Sequence, residues 1–73
     1  MSKEELLDYL ARMPGADATQ VASAFGRPYP AVAMALLRLT RQGLVQRFVD
    51  RDTGCYWYEL SERGQERLAY FQS

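Results

Sequence analysis

Apolar residues recur at helical spacing through the first half of the chain and then change period. Leu6, Leu7, Leu10 and Met13 fall on one side of a first helix. Ser2 and Glu5 stand before it at the spacing of a capping box, and Glu4 and Glu5 suit the positive end of a helix dipole. Pro14-Gly15 ends it. Val21, Ala22 and Phe25 mark a short second helix, capped by Asp17 with Gln20, or alternatively by Thr19, and stopped by Gly26. A third helix is predicted from Tyr29-Pro30, with proline at the first helical position, where its missing N–H is not needed. Val32, Ala35, Leu36 and Leu39 form its buried stripe. Gly43 closes it, with Arg41 in the last turn.

Beyond Gly43, β-branched and aromatic residues replace the helical pattern. Strands are predicted at 44–50 and 55–60, joined through "DRDTG" by a turn that needs glycine in the left-handed region. In the second strand Tyr56, Tyr58 and Leu60 share one face and Cys55, Trp57 and Glu59 the other. Trp57 and Tyr56 are expected to fill the gap between hairpin and helices, with stacking on a partner or on bases as the alternative. Cys55 is expected to be a small apolar residue in a strand. Ser61 caps a last helix over about 62–71, with Leu68 and Phe71 apolar. The predicted fold is mainly α with a β-hairpin. The short "GRPY" link between the second and third helices implies a steep crossing, as in a helix-turn-helix.

With 73 residues and 48% apolar content, one domain over 1–73 is expected, with a core small enough that a partner subunit is a natural complement. Leu68, Tyr70 and Phe71 are the expected contacts of a homodimer through the last helix. Charge is neutral in sum and uneven in distribution. Residues 1–17 carry −2, residues 18–49 carry +4 with no acid, and residues 52–73 carry −2. The charged N-terminus reads as neither a signal peptide nor a membrane span. One cysteine and no export signal fit the cytoplasm.

The chemistry of several function classes is missing. There is no histidine to act as a base or zinc ligand, no glycine-rich phosphate loop, and no serine or cysteine nucleophile with a partner base. An enzyme is therefore not expected, nor a metal site or cofactor.

Two motifs resemble a known family. Leu36, Leu39, Gly43, Leu44 and Val45, followed after a hairpin by Leu60, Ser61, Glu62, Arg63 and Gly64, look like a winged-helix DNA-binding domain of the MarR and PadR type. The resemblance covers about residues 4–69 and implies a three-helix core, a two-stranded wing and a C-terminal helix. In size the chain resembles minimal winged helices of the PapI type. It also resembles the FeoC type in "RPYPAVAMALLRLTRQG", although a wing holding only Cys55 does not support an iron–sulfur role.

The resemblance implies a small transcriptional regulator that binds double-stranded DNA. Arg27, Arg38, Arg41, Arg47 and the wing-tip Arg51 would meet phosphates, and Thr19 or Gln20 would do so at the start of the second helix. Tyr29, Ala31 and Met34 occupy the exposed early positions of the third helix. Such helices usually carry polar residues there; here Pro30, Ala31, Ala33, Met34 and Leu37 offer no bidentate base contact. Ala33 and Leu37 are expected to pack against the first helix. The apolar face leaves an alternative open, a protein-interaction or accessory module with little or no DNA binding.

Overall fold

The computed structural model describes residues 1–72; Ser73, the last residue of the expected domain, lies outside the described residues. Three helices come first: α1 (Lys3–Arg12), α2 (Ala18–Phe25) and α3 (Tyr29–Arg41). A hairpin of β1 (Val45–Val49) and β2 (Tyr56–Leu60) follows, then α4 (Glu62–Gln72). This is the expected winged helix-turn-helix order, with strand ends shifted by a residue.

The starts of α1 and α2 obey the local chemistry of their sequences. Ser2 accepts from the Glu5 N–H and the Glu5 carboxylate accepts from the Ser2 N–H at 3.0 Å. Glu5 is held below its ordinary pKa, first by the Ser2 backbone N–H and then by its hydroxyl. Asp17 and Gln20 exchange the same pair of bonds at 2.7 and 3.1 Å, so Asp17 is the cap and Thr19 lies inside the helix. At α3 Pro28 is the N-cap and Tyr29 the first helical residue, which puts Pro30 one position later than expected. Met13 is not part of the buried stripe of α1; it caps the helix and is exposed.

The core joins all the elements. Leu6, Leu7 and Leu10 of α1, Val21 of α2, and Val32, Leu36 and Leu39 of α3 meet Leu44, Val45, Tyr58 and Leu68. Burial of each such aliphatic side chain contributes about 1.5–3 kcal/mol. Leu68 is 7% exposed, so it belongs to this core and not to a dimer surface. On α3 it is Ala35 that packs on the core. Ala33 and Leu37 are half-buried on its other flank, so the expected packing of those two against α1 gives way to Ala35 and Leu39.

Two attachments fix the hairpin. Its register pairs Val45 with Leu60, Arg47 with Tyr58, and Phe48 with Trp57. At the middle of β2, Tyr58 and Ala16 exchange backbone hydrogen bonds of 2.8 and 3.2 Å, an isolated bridge that ties the α1–α2 link to the hairpin edge. The chain then returns to α3 through Ser61, whose hydroxyl donates to the Gly43 carbonyl and accepts from the Gly64 N–H.

Candidate nucleic-acid interface

Successive residues of a helix are set ~100° apart, so the buried stripe of α3 leaves Pro30, Met34 and Arg41 along the centre of its outer face. Met34 is 49% exposed, and Pro30, Ala31, Arg38 and Arg41 are exposed as well. Arg38 lies toward the α1 flank. There it lines a groove with Met1, Lys3, Ala35 and Gln42. Lys3 thereby joins the basic edge, a contribution that the negative sum of residues 1–17 conceals.

Tyr29 lies on the opposite flank, toward the wing. With Asp17, Ala18 and Thr19 of the α2 start, and Gly54, Cys55, Tyr56 and Tyr58 of the hairpin, it lines a concavity of about 270 Å³. Thr19 and Gln20 are exposed at its edge. The Gln20 carbonyl is committed to the cap, which leaves its NH2 group as the available donor. Arg47 spans the hairpin beside this concavity, its guanidinium carbon 4.3 Å from the Tyr56 ring centroid. Burial raises the pKa of the Tyr58 hydroxyl, and the nearby Arg47 charge opposes that rise.

The wing tip is a tight turn. Asp50 N–H donates to the Cys55 carbonyl at 2.8 Å, Gly54 N–H to the Asp50 carbonyl at 2.7 Å, and Gly54 takes a φ of 75°. The Asp50 carboxylate accepts from the Asp52 N–H at 2.9 Å, which holds its pKa below the ordinary value. Arg51 is exposed at this tip.

The ten expected site residues thus divide into groups. Met34, Arg38 and Arg41, with Ala31 at the edge, form the outer surface of α3. Tyr29 and Thr19 line the concavity under the wing and Arg47 lies against its Tyr56, while Gln20 follows Thr19 in α2 and Arg51 sits at the wing tip. Arg27 stands apart, in the α2–α3 turn, where its charge helps to lower the Glu5 pKa on α1. Among the described residues the recorded ion pair is Arg12 with Asp8 at 3.2 Å, so none of the five arginines on this side is neutralised by a carboxylate contact.

The aromatic residues of the wing depart from expectation. Tyr56 is 45% and Trp57 40% exposed, and neither belongs to the core; Tyr58 alone takes that place. The reason is geometric. Tyr58 faces the core from a strand edge bridged to Ala16, whereas Trp57 points to the other face and lies across Gly15. Trp57 and its partner Phe48 form an exposed apolar pair that the sequence reading did not single out. Cys55 is exposed and precedes β2, so it is not a packed strand residue. Among the described residues no three His, Cys, Asp or Glu side chains are grouped as metal ligands, and no helix is long and apolar enough to cross a membrane.

Residues 5–47, which carry α1 to the start of β1, match the family model of the IclR helix-turn-helix domain. No curated protein matches the sequence. Among solved structures the chain is similar to the S. aureus MepR–DNA complex, at 27% identity and a TM-score of 0.82, over 94% of this chain and 51% of that one. It is also similar to MarR, at 26% identity and a TM-score of 0.87, over 94% of this chain and 48% of that one. A third similar structure is a MarR family transcription regulator, at 25% identity and a TM-score of 0.83, over 90% and 44% of the two chains. The chain spans about half the length of these structures.

Proposed function

The chain belongs to the IclR helix-turn-helix domain family, and on that premise we propose that it is a small transcription regulator that binds double-stranded DNA. The observation that carries this reading is electrostatic. Residues 18–49 contain four arginines and no acid, and none of those arginines is in an ion pair among the described residues. Unneutralised arginines around a protruding helix and hairpin suit a phosphate backbone. The similarity to a MepR–DNA complex supports the same reading.

In this reading α3 enters the major groove, as the second helix of a helix-turn-helix does. Arg38 and Arg41 meet phosphates at the groove wall. Arg47 and Arg51 carry the wing along the adjacent backbone, and Thr19 with the Gln20 NH2 group holds a phosphate at the start of α2. Ala31 and Met34 face the base edges, and Tyr29, turned toward the wing, meets the adjacent backbone. Arg27 supplies longer-range attraction. In this reading the protein is a cytoplasmic DNA binder with no catalytic role. It acts as a homodimer through α4, where Tyr70 and Phe71 are exposed, so that two α3 helices meet half-sites one DNA turn apart.

A titration of random duplex at several salt concentrations tests the reading. With four or five phosphate contacts, log K is expected to fall with log salt at a slope of about −3 to −4 for a monomer and twice that for a dimer. Absence of binding to any duplex at low salt, from folded protein, overturns it. Sedimentation at high micromolar concentration tests the dimer.

A second reading, a protein-interaction module, rests on the Phe48–Trp57 pair. Two large apolar side chains side by side on the outer face of a hairpin suit a protein surface. Under that reading Trp57→Ala abolishes capture of a partner and leaves DNA affinity unchanged.

A further inference from the structure

Tyr29, the first residue of α3, lies toward the wing; the rest of the first two turns presents the groove-facing surface of the proposed interface, and no side chain from Pro30 to Leu37 contains a nitrogen or an oxygen. Met34 occupies the centre of that surface and is half exposed, with Pro30 before it in the same row and Ala31 to one side. The rim is cationic. Arg41 lies beyond Met34, Arg38 and Lys3 line one flank, and Arg47 lies across the wing. An apolar centre beside cationic side chains fits a polyanion that also offers apolar groups at its recognition surface.

Among the groups displayed in the major groove, the base edges present hydrogen-bond donors and acceptors and one apolar group, the C5-methyl of thymine. An apolar row pressed against donors and acceptors leaves them without partners, which is unfavourable. Pressed against methyl groups, the same row removes apolar surface from water on both sides. We infer that Met34, with Ala31 beside it, makes α3 a reader of pyrimidine 5-methyl groups, the arginines supplying affinity and the methyl contacts supplying preference. The inference rests on the DNA-binding reading above.

A consequence follows from covalent structure. 5-Methylcytosine carries its methyl at the ring position where thymine carries one. A surface that reads the methyl and forms no hydrogen bond to the neighbouring O4 or N4 accepts both bases. The protein is therefore expected to prefer thymine-rich duplexes and, in G·C-rich duplexes, to bind more tightly after cytosine methylation.

The experiment uses the full chain and two pairs of duplexes, followed by fluorescence anisotropy at one salt concentration. The first pair has thymine or deoxyuridine at every A·T position, a change that removes only the methyl. The second pair has cytosine or 5-methylcytosine. Deoxyuridine is expected to weaken binding about fourfold for each methyl in contact, and 5-methylcytosine to strengthen it by a similar factor, with the same salt slope for both members of a pair. Met34→Ala, an exposed position whose fold is checked by circular dichroism, is expected to reduce both differences and keep the slope.

Equal affinity for thymine and deoxyuridine duplexes, with binding present, overturns methyl reading and leaves the regulator reading intact. A difference that persists undiminished in Met34→Ala also overturns it, because the preference then comes from the duplex. No binding to any of the four duplexes, from folded protein, overturns both the methyl reading and the DNA-binding reading on which it rests.

Discussion

The hydroxyl of Ser61 donates a 2.6 Å hydrogen bond to the carbonyl of Gly43, tying the start of α4 to the end of α3 across the whole hairpin. The same oxygen accepts from the Gly64 N–H at 3.0 Å, and the Ser61 N–H donates to the Leu44 carbonyl at 3.0 Å. The base of the wing is thus closed by a single residue that also serves as a helix cap.

Ser61→Ala removes the cap and leaves the buried Gly64 N–H without its acceptor. A loss of about 1–2 kcal/mol is expected. Gly64→Ala is expected to cost more, about 3 kcal/mol or above, because a Cβ there overlaps the rigid Leu44 carbonyl oxygen and comes within 2.8 Å of Leu60 Cδ1. Urea unfolding followed by far-UV circular dichroism measures both. A Gly64→Ala protein as stable as the parent contradicts the close approach of α4 to the base of the wing.

Tyr58 makes stability sensitive to alkali. Its buried hydroxyl has a pKa raised above the ordinary tyrosine value of 10.0, so folding favours the neutral form. Its contribution is complete below pH 10.0 and is lost as pH rises through the folded-state value. Thermal unfolding between pH 8 and 11.5 is expected to show a falling Tm above about pH 10, and Tyr58→Phe is expected to flatten that fall. An identical decline in both proteins refutes the assignment.

The elements were legible because their signals are local. Capping pairs three residues apart, proline near a helix start, and glycine after a helix each act within a turn, and all four helices lie where those signals put them. The Leu60–Gly64 motif was legible for a related reason: Ser61 and Gly64 are needed together, one as cap and one for close approach. The arrangement of the wing was not legible. Alternation places Tyr56 and Tyr58 on one face, but only the tertiary pairing of Tyr58 with Ala16 decides which tyrosine is buried. The place of Leu68 was not legible for the same reason, since it is defined by the core that gathers around it from elements distant in sequence.

Gly15 and Trp57 provide a test of the wing's attachment. Gly15 has a φ of 77°, and a Cβ there would lie 3.3 Å from the indole ring. Gly15→Ala is therefore expected to cost about 1–2 kcal/mol from the left-handed backbone and to displace the indole. Trp57 is the only tryptophan in the chain, so its emission reports the displacement directly as a red shift. An unchanged spectrum in a folded variant contradicts the contact.

The arginines of the proposed interface are separable by position. Arg41 lies on the outer face of α3 and Arg38 toward its α1 flank, whereas Arg27 lies in the α2–α3 turn, near enough to α1 to influence Glu5. Loss of a direct phosphate contact removes about one counterion and makes the slope of log K against log salt about 0.9 less steep. Arg38→Ala and Arg41→Ala are each expected to do this, and Arg27→Ala to weaken binding by long-range attraction alone with a much smaller change in slope. The effect is expected to be similar on every duplex for all three, because a phosphate contact carries no sequence information. If Arg38→Ala instead weakens binding on one sequence only, by about 1–3 kcal/mol, the residue is contacting a guanine edge and the division between arginine affinity and methyl preference fails at that position.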